Sequence, residues 1–576
     1  TLTFSYIGML PQDIKVNGRS AINVTLKEDS QQLEEIIVIG YGAAKAKDLT
    51  APITVVKGEA LTAVPSTTPM AALQGKVPGV NIVNNGAPGE GPTVQIRGIG
   101  SFSNSKPLFV VDGMFYDNIN FLNNADIQEM SILKDASAAA IYGVRAANGV
   151  VLITTKKGSR NQKAKITYDG YVGIQKASNV LELCNSHEYA TMLLEGNFDS
   201  YKTHFIQSID KYGGSYDDPD FHNWTFGADN DWYDLLLRTA AITNHSLNIN
   251  GGSEKAVYAV GVSYLYQDGI MDVDNNYKRL NFRGSVDYDA TNWLKVGFNG
   301  VFSNSTQQVP NNQAWQKAFN CPPIVALYDE EYNDKSFPDK FGSPDAIGYT
   351  STNFLNPIAT AKYFDSSKEN YQVLSNFYAQ IDFIPGKLNF KTNYSYSFLS
   401  TQGREFTPKY YVSSWQQSST TQLTKNENKY YNYIWDNTLT YNDQWGKHRF
   451  GAMAGYSMRQ EQWRMFEGKA SNVPDGADEY WYIKNGDAAG ATVKDDGYCY
   501  RGVSYFARLN YNYDDKYLLM FTMRADGSSK YQEHWGYFPS VGAAWVLSEE
   551  SFLKDQKWID FLKLRASWGK LGNDQV

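Results

Sequence analysis

Beyond Gly158 the sequence settles into a period of two. Leu280, Phe282, Val286 and Tyr288 alternate with Arg279, Asn281, Arg283, Ser285 and Asp287, which places apolar groups on one face of an extended strand and polar groups on the other. The pattern returns at Leu388, Phe390, Tyr394 and Tyr396, set against Asn389, Lys391, Asn393, Ser395 and Ser397. It returns again at Tyr505, Ala507, Leu509, Tyr511 and Tyr513, set against Arg508, Asn510, Asn512 and Asp514. No apolar run is long enough for a membrane-crossing helix, so any span made by this chain is β. The connections separate a lipid-facing barrel from a soluble sandwich. Brief turns at Gly251 to Lys255, Asp289 to Asn292, Pro385-Gly386, Asp443 to Gly446 and Asp514-Asp515 alternate with long polar stretches. Those stretches are Ala177 to Asn244, Ser305 to Asn370, Thr401 to Tyr430 and Glu461 to Tyr500. A transmembrane barrel gathers its long connections at one end, whereas a sandwich has no reason to do so. Counted this way there are roughly thirteen strands, the last at Leu562 to Gly569.

Composition narrows the function classes. Aromatic residues are 14% of the chain, as girdles at two membrane interfaces require, although a secreted β protein with sugar-binding surfaces would need them too. The formal net charge of -8 gives no electrostatic footprint for nucleic acid. Cys184, Cys321 and Cys499 are odd in number and far apart, so they write neither a disulfide framework nor a metal site. The histidines His187, His204, His222, His245, His448 and His534 have no metal-ligand spacing, and no GxSxG, GxGxxG or GxxxxGK[ST] is present. Pairs such as Asp217-Asp218 and Glu549-Glu550 sit in polar connections, where solvated surface is the default. We therefore expect no catalytic residues, no metal and no cofactor.

The stretch before the barrel reads differently. Thr1 to Glu28 shows short strands around Leu2 to Tyr6, Ile14 to Val16 and Ile22 to Leu26. A polar hinge then leads to Glu35, Ile36, Ile37, Val38, Ile39, Gly40 and Tyr41, an apolar β-branched run that needs a partner strand. Further on, a short helix is expected at Met70 to Gln74, with strands at Val80 to Val83, Thr93 to Ile96 and Val150 to Thr155. Asp135 is placed to cap an Ala-rich helix from Ala136 to Tyr142, with Gly143 as its left-handed stop. Arg97, Gly98, Asp112, Gly113, Lys134, Asp135 and Arg145 are charged and glycine positions set among apolar segments; within a polar lumen such charges can bond the wall or one another.

Four pieces of this block occur in one order: IRG at Ile96 to Gly98, PLFVVDG at Pro107 to Gly113, LKDASAAAIYG at Leu133 to Gly143, and RAANGVVLITTKKG at Arg145 to Gly158. They resemble the plug domain of the SusC/RagA family of TonB-dependent outer-membrane transporters. SYFARLNY, RADGSSK, GYFPSVGAAW and LKLRASWGKLGN resemble that family's mid-barrel motifs, so the resemblance covers essentially the whole chain. It implies a mainly β fold, a plugged transmembrane antiparallel β-barrel of about 22 strands with an α/β plug. Residues 1–28 would be the end of a carboxypeptidase-regulatory-like sandwich, 29–49 a linker with the Ton box, 50–158 the plug and 159–576 part of the barrel. Both ends would then be processed or truncated. Glu35 to Tyr41 would be the Ton box, taken by TonB (with ExbB and ExbD) through strand addition. A SusD-like surface lipoprotein and outer-membrane lipid would be the other partners. The expected cargo is an oligosaccharide, with an oligopeptide importer of the RagA type or a non-transporting glycan-binding adhesin as alternatives. Trp224, Trp315 and Trp415 are candidates for stacking on sugar rings or for an interface, and the cargo-contact residues stay open.

Overall fold

The computed structural model describes residues 2–4, 12–15, 22, 24–26, 36–40 and 42–574, apart from 85, 100–104, 197–198, 332–336, 338, 531, 554–555 and 557. Near the amino terminus Leu2–Phe4 pairs antiparallel with Gln12–Ile14. Val24 to Leu26, expected as strand, forms no ladder. Ile36–Ile39 pairs antiparallel with Gly42–Lys45, with Ile39 opposite Gly42. The partner strand is thus supplied locally by a tight hairpin, in which Gly40 has φ 62°. A Cβ on Gly40 would come within 2.8 Å of the Ile141 side chain, so the turn lies against the next unit. Glu35 and Tyr41 are outside the described residues.

That next unit is a five-stranded sheet in the order Ile53–Lys57, Ile127–Leu133, Val150–Thr155, Leu108–Val111, Met114–Tyr116. Leu108–Val111 runs parallel to Val150–Thr155, and the other pairs are antiparallel. Both central runs are apolar without alternation because both of their faces are covered: all four residues of Leu108–Val111 are buried. Asp112 (φ 48°) and Gly113 (φ 98°) make the two-residue turn that such a tight hairpin demands. Val80–Val83 and Thr93–Ile96 form a separate hairpin.

The expected helix at Ala136 to Tyr142 is shorter. Ala136–Ala139 is α-helical, and Ala140–Arg145 continues as 3-10 turns broken at Gly143. Asp135 holds the N-cap position without a capping hydrogen bond, because its carboxylate is turned to Arg97. Gly143 has φ 60° and ψ -124°, which is not the left-handed helical stop. Its Cβ, if present, would collide with Arg524 and Asp526 of the surrounding wall, so close approach is what requires glycine here.

Thirteen strands follow in an antiparallel meander that keeps chain order, from Gln162–Gln175 to Lys563–Gly569. Their sidedness is inverted relative to a soluble protein. In Asn276–Asp289, Phe282, Val286 and Tyr288 are 47%, 42% and 45% exposed, while Arg279, Asn281 and Arg283 are nearly sealed inside. Apolar side chains therefore face outward in a band, and polar ones line a lumen. No helix among the described residues is long and apolar enough to cross a membrane.

Two of the expected long loops are partly ladder. Leu388–Thr407 pairs with Gln422–Trp445, and His448–Ser471 with Thr492–Tyr513, through about half of Thr401 to Tyr430 and of Glu461 to Tyr500. Beyond the apolar band both faces of a strand meet water, so the alternation fades while the backbone pairing continues. The other two long connections are trimmed by strands ending at Gln308 and beginning at Ala240 and Asp365. They fold into helices, among them Ser186–Glu195, Lys202–Tyr212, Trp232–Leu236 and Gln313–Asn320. These share a core that includes Phe205, Trp232, Ile324, Val325 and Ile347.

The glycine contact gives a direct check. Gly143→Ala in the full-length protein is expected to cost roughly 1–3 kcal/mol of the inner unit's docking. Urea unfolding followed by protease cleavage of residues 50–158 should report release at lower denaturant, with the barrel's own midpoint unchanged.

Candidate functional site: the inner unit against the lumen wall

Inward side chains of the wall strands meet the inner unit, whose sheet runs from Ile53–Lys57 to Val150–Thr155 in the chain. On the wall strands nearest its exit, Arg283 and Asp126 form an ion pair at 3.2 Å with both side chains almost fully buried. Asn281 donates to the Phe121 carbonyl at 2.9 Å, and Arg279 donates to the Asn120 carbonyl. The Asn123 and Asn244 amides bond at 3.0 Å. Gln307 donates to the Pro88 carbonyl at 2.7 Å, and Gln267 accepts from the Gly89 amide at 3.1 Å. These contacts are directional polar bonds that can be broken one by one, while further round the wall Val301, Leu374, Ile434, Met453 and Phe506 pack into the inner unit's apolar core.

The opposite side is held as firmly. Asp526 accepts from the Val144 amide at 2.9 Å and from Arg524 at 2.7 Å, while Arg524 also donates to the Ile141 carbonyl. The segment between the Ile36–Ile39 hairpin and the five-stranded sheet is tied separately. Arg449 pairs with Asp48 at 3.0 Å, and Lys563 donates to the carbonyls of Lys47 and Leu49, each at 2.6 Å.

Arg145 is the hub of the face towards the long connections. It reaches Asp117 at 2.9 Å within its own unit, Glu461 on the wall at 3.0 Å, and Asp574 at 3.6 Å. Burial opposes the guanidinium's charge, but these carboxylates outweigh it and hold its pKa above the usual value. Glu461 takes Lys530 at 3.4 Å as well, and Arg459 pairs with Asp574 at 2.9 Å. On the same lumen face, Trp463 lies two residues beyond Glu461 and directly opposite both Tyr430 and Tyr498. Ring centroids stand 5.4 Å apart for Trp463 and Tyr498 and 4.6 Å for Tyr498 and Tyr500, with the Lys530 ammonium 4.8 Å from the Tyr500 ring.

The residues singled out in the sequence divide between two kinds of contact. Arg145 reaches the wall directly. The Asp112 carboxylate stays within its unit, accepting from the Thr155 amide at 3.1 Å and hydroxyl at 2.8 Å, while its carbonyl accepts from the wall's Asn376 at 3.0 Å. Burial pushes the Asp112 carboxyl up, and the Thr155 donors offset part of that shift. Gly113 shares the Asp112 turn and faces Asn393. Arg97 bonds Asp135, and Lys134 donates to the Pro78 carbonyl at 3.0 Å. Gly98 has φ 89° and takes no part in the seam. Asp126, Arg283 and Glu461 were not singled out as site residues, and Arg524 and Asp526 entered only as part of the RADGSSK piece. The two arginines and two of the acids lie on strands, where a charged residue in the inward register is the available signal; Asp126, in a 3-10 turn, gives none. Trp224 is a correction. It is buried in the helical core and its indole donates to the Asp218 carbonyl at 3.0 Å, so it is not a stacking platform. Trp315 packs on Tyr233, and Trp415 is half exposed. Among the described residues no cluster of metal-ligating side chains occurs.

The buried pair predicts an asymmetric mutational cycle. Arg283→Met or Asp126→Asn alone strands a polar or charged group and should cost roughly 3–5 kcal/mol, read as easier release of residues 50–158 from the full-length barrel. The double variant should cost less than the sum of the two single variants.

Comparison with known proteins fits this geometry. Residues 45–150 match the TonB-dependent Receptor Plug Domain family. Over its whole length the chain is 33% identical to TonB-dependent receptor P3 of Formosa agariphila, covering 55% of that protein. It is 31% identical to TonB-dependent receptor SusC of Bacteroides thetaiotaomicron, covering 57%. The chain thus spans about half the length of these curated relatives. The RagAB peptide importer in its open-open state superposes with a TM-score of 0.78 at 24% identity, over 94% of this chain and 62% of that one, and shares the fold. The inverted thirteen-stranded wall, the plug bonded inside it and these relatives together place the chain in the SusC/RagA family of TonB-dependent receptors.

Proposed function

We propose that the whole protein imports a nutrient across the outer membrane of a Gram-negative bacterium, driven by TonB with ExbB and ExbD. The carrying observation is a lumen filled by a plug that is fastened through breakable polar bonds, with a β-hairpin at its amino-terminal edge. Among the described residues Ile36–Ile39 has one ladder partner, Gly42–Lys45. Its other edge suits strand addition to TonB, with Glu35 to Tyr41 as the gripped segment. A pull there meets the Asp48–Arg449 and Lys563 contacts first. The plug is residues 50–158, the barrel begins at residue 159, and residues 1–28 belong to a preceding periplasmic domain. No bond of the cargo is broken. A closed plug binds cargo without moving it uphill, so the work comes from the inner membrane.

The favoured cargo is an oligosaccharide, held under a SusD-like lipoprotein. Tyr430, Trp463, Tyr498 and Tyr500 on one lumen face, beside Glu461 and Lys530, supply flat apolar surfaces with polar tips, which suit the faces and hydroxyls of sugar rings. An oligopeptide is the second reading, supported by the fold likeness to a peptide importer.

Deleting residues 36–41 from the full-length protein is expected to abolish ligand-dependent growth while ligand binding at the cell surface persists. Unchanged growth would sink the TonB-driven reading and favour a glycan-binding adhesin. Mass spectrometry of the gently extracted native protein should find a stoichiometric lipoprotein and bound oligosaccharide; bound peptide instead would select the second reading.

A further inference from the structure

Towards the short-turn end the plug stands off the middle of the wall, leaving a cavity of about 1040 Å³. The wall contributes Tyr378, Asn389, Lys391, Asn393 and Thr440, and the plug contributes Asp112 and Lys157. Most charges here are spoken for. Lys157 pairs with Asp287 at 3.0 Å, and Asp287 also accepts from the Tyr378 hydroxyl at 2.8 Å. Lys387 pairs with Asp443 at 2.8 Å and Arg449 with Asp48 at 3.0 Å. Asp112 is satisfied by Thr155.

Lys391 is the exception. Its ammonium makes no ion pair or hydrogen bond with the described residues and stands 4.6 Å from the centre of the Tyr378 ring. Lys157 lies 5.5 Å from the same ring, so two ammonium groups share one aromatic neighbour. The carboxylates of Asp287 and Asp436 act on Lys391 only at longer range. An ionisable side chain turned into the lumen at membrane depth is expensive, and such residues mark pathways of charged ligands. Direct cross-strand neighbours of Lys391 are the neutral Gln380 and Thr438, and the Asp436 carboxylate lines the same cavity. The cavity's size accommodates a small ligand or a few sugar rings.

We propose that this cavity is a transit site for an acidic oligosaccharide, with Lys391 binding an oxyanion substituent, a carboxylate or sulfate ester, while Asn389, Asn393 and Thr440 face the sugar hydroxyls. The inference rests on the import reading above and narrows its cargo to an anionic class.

The test uses the full-length protein with its native partners. Selenate, a sulfate mimic, soaked into crystals of the wild type should give an anomalous peak beside the Lys391 ammonium, and Lys391→Gln should abolish it. In cells, uptake of a uronate-bearing and of a sulfated oligosaccharide should be compared with a neutral one of equal length. Lys391→Gln should slow uptake of whichever acidic class is carried by roughly tenfold, leave neutral uptake unchanged, and be rescued by Lys391→Arg. Equal selenate binding in Lys391→Gln, or equal slowing of acidic and neutral sugars, overturns the proposal. A strain lacking residues 36–41 runs in parallel: if it still takes up sugar, the import reading itself fails, whereas if only the charge discrimination is absent, this site alone falls.

Discussion

A peptide group in hydrocarbon has no water to bond, and the rest of this architecture follows from that. Every strand must hand its N–H and C=O groups to a neighbour, which makes a continuous antiparallel wall the solution open to a chain whose described residues hold no spanning helix. The pleat then forces a division of labour. Residues such as Phe282 and Val286 face outward, and their immediate neighbours Asn281 and Arg283 must face in. A lumen lined mostly this way seats the plug through hydrogen bonds and ion pairs, joined by apolar contact at Val301, Leu374, Ile434, Met453 and Phe506.

That kind of fastening has its own character. An apolar interface gains strength in proportion to area and yields gradually, whereas a seam of hydrogen bonds is specific in register and fails at individual points. The Arg283–Asp126 pair is sealed from water, so neither partner can leave without exposing the other to an uncompensated environment. The Arg145 network shares one guanidinium among carboxylates from the plug, the wall and the segment after the last strand. It thereby couples three parts of the chain that are distant in sequence.

Much of this was legible in residue order. Alternation located the barrel strands, and the apolar run at Val150 to Thr155 marked a strand of the plug's sheet. Legibility failed where pairing outran the apolar band, as at Thr401 to Thr407, since water on both faces erases the periodic signal without ending the ladder. It failed also at Asp135, whose capping chemistry suits a helix start but is diverted to Arg97 by a partner far away in sequence. Arg283 appeared as the polar member of an alternating pair, yet its importance depends on Asp126, which no local pattern links to it. Trp224 illustrates the converse: an aromatic in a polar stretch looked exposed until the helices of that stretch closed around it.

The order of the plug's five-stranded sheet has a mechanical reading. Ile53–Lys57, the strand first reached from the amino-terminal side, lies at the edge and bonds one neighbour, Ile127–Leu133. The three strands in the middle each bond two. Tension arriving from upstream therefore meets a strand held by a single ladder, and losing it shortens the sheet by one without disturbing any ladder among the remaining four.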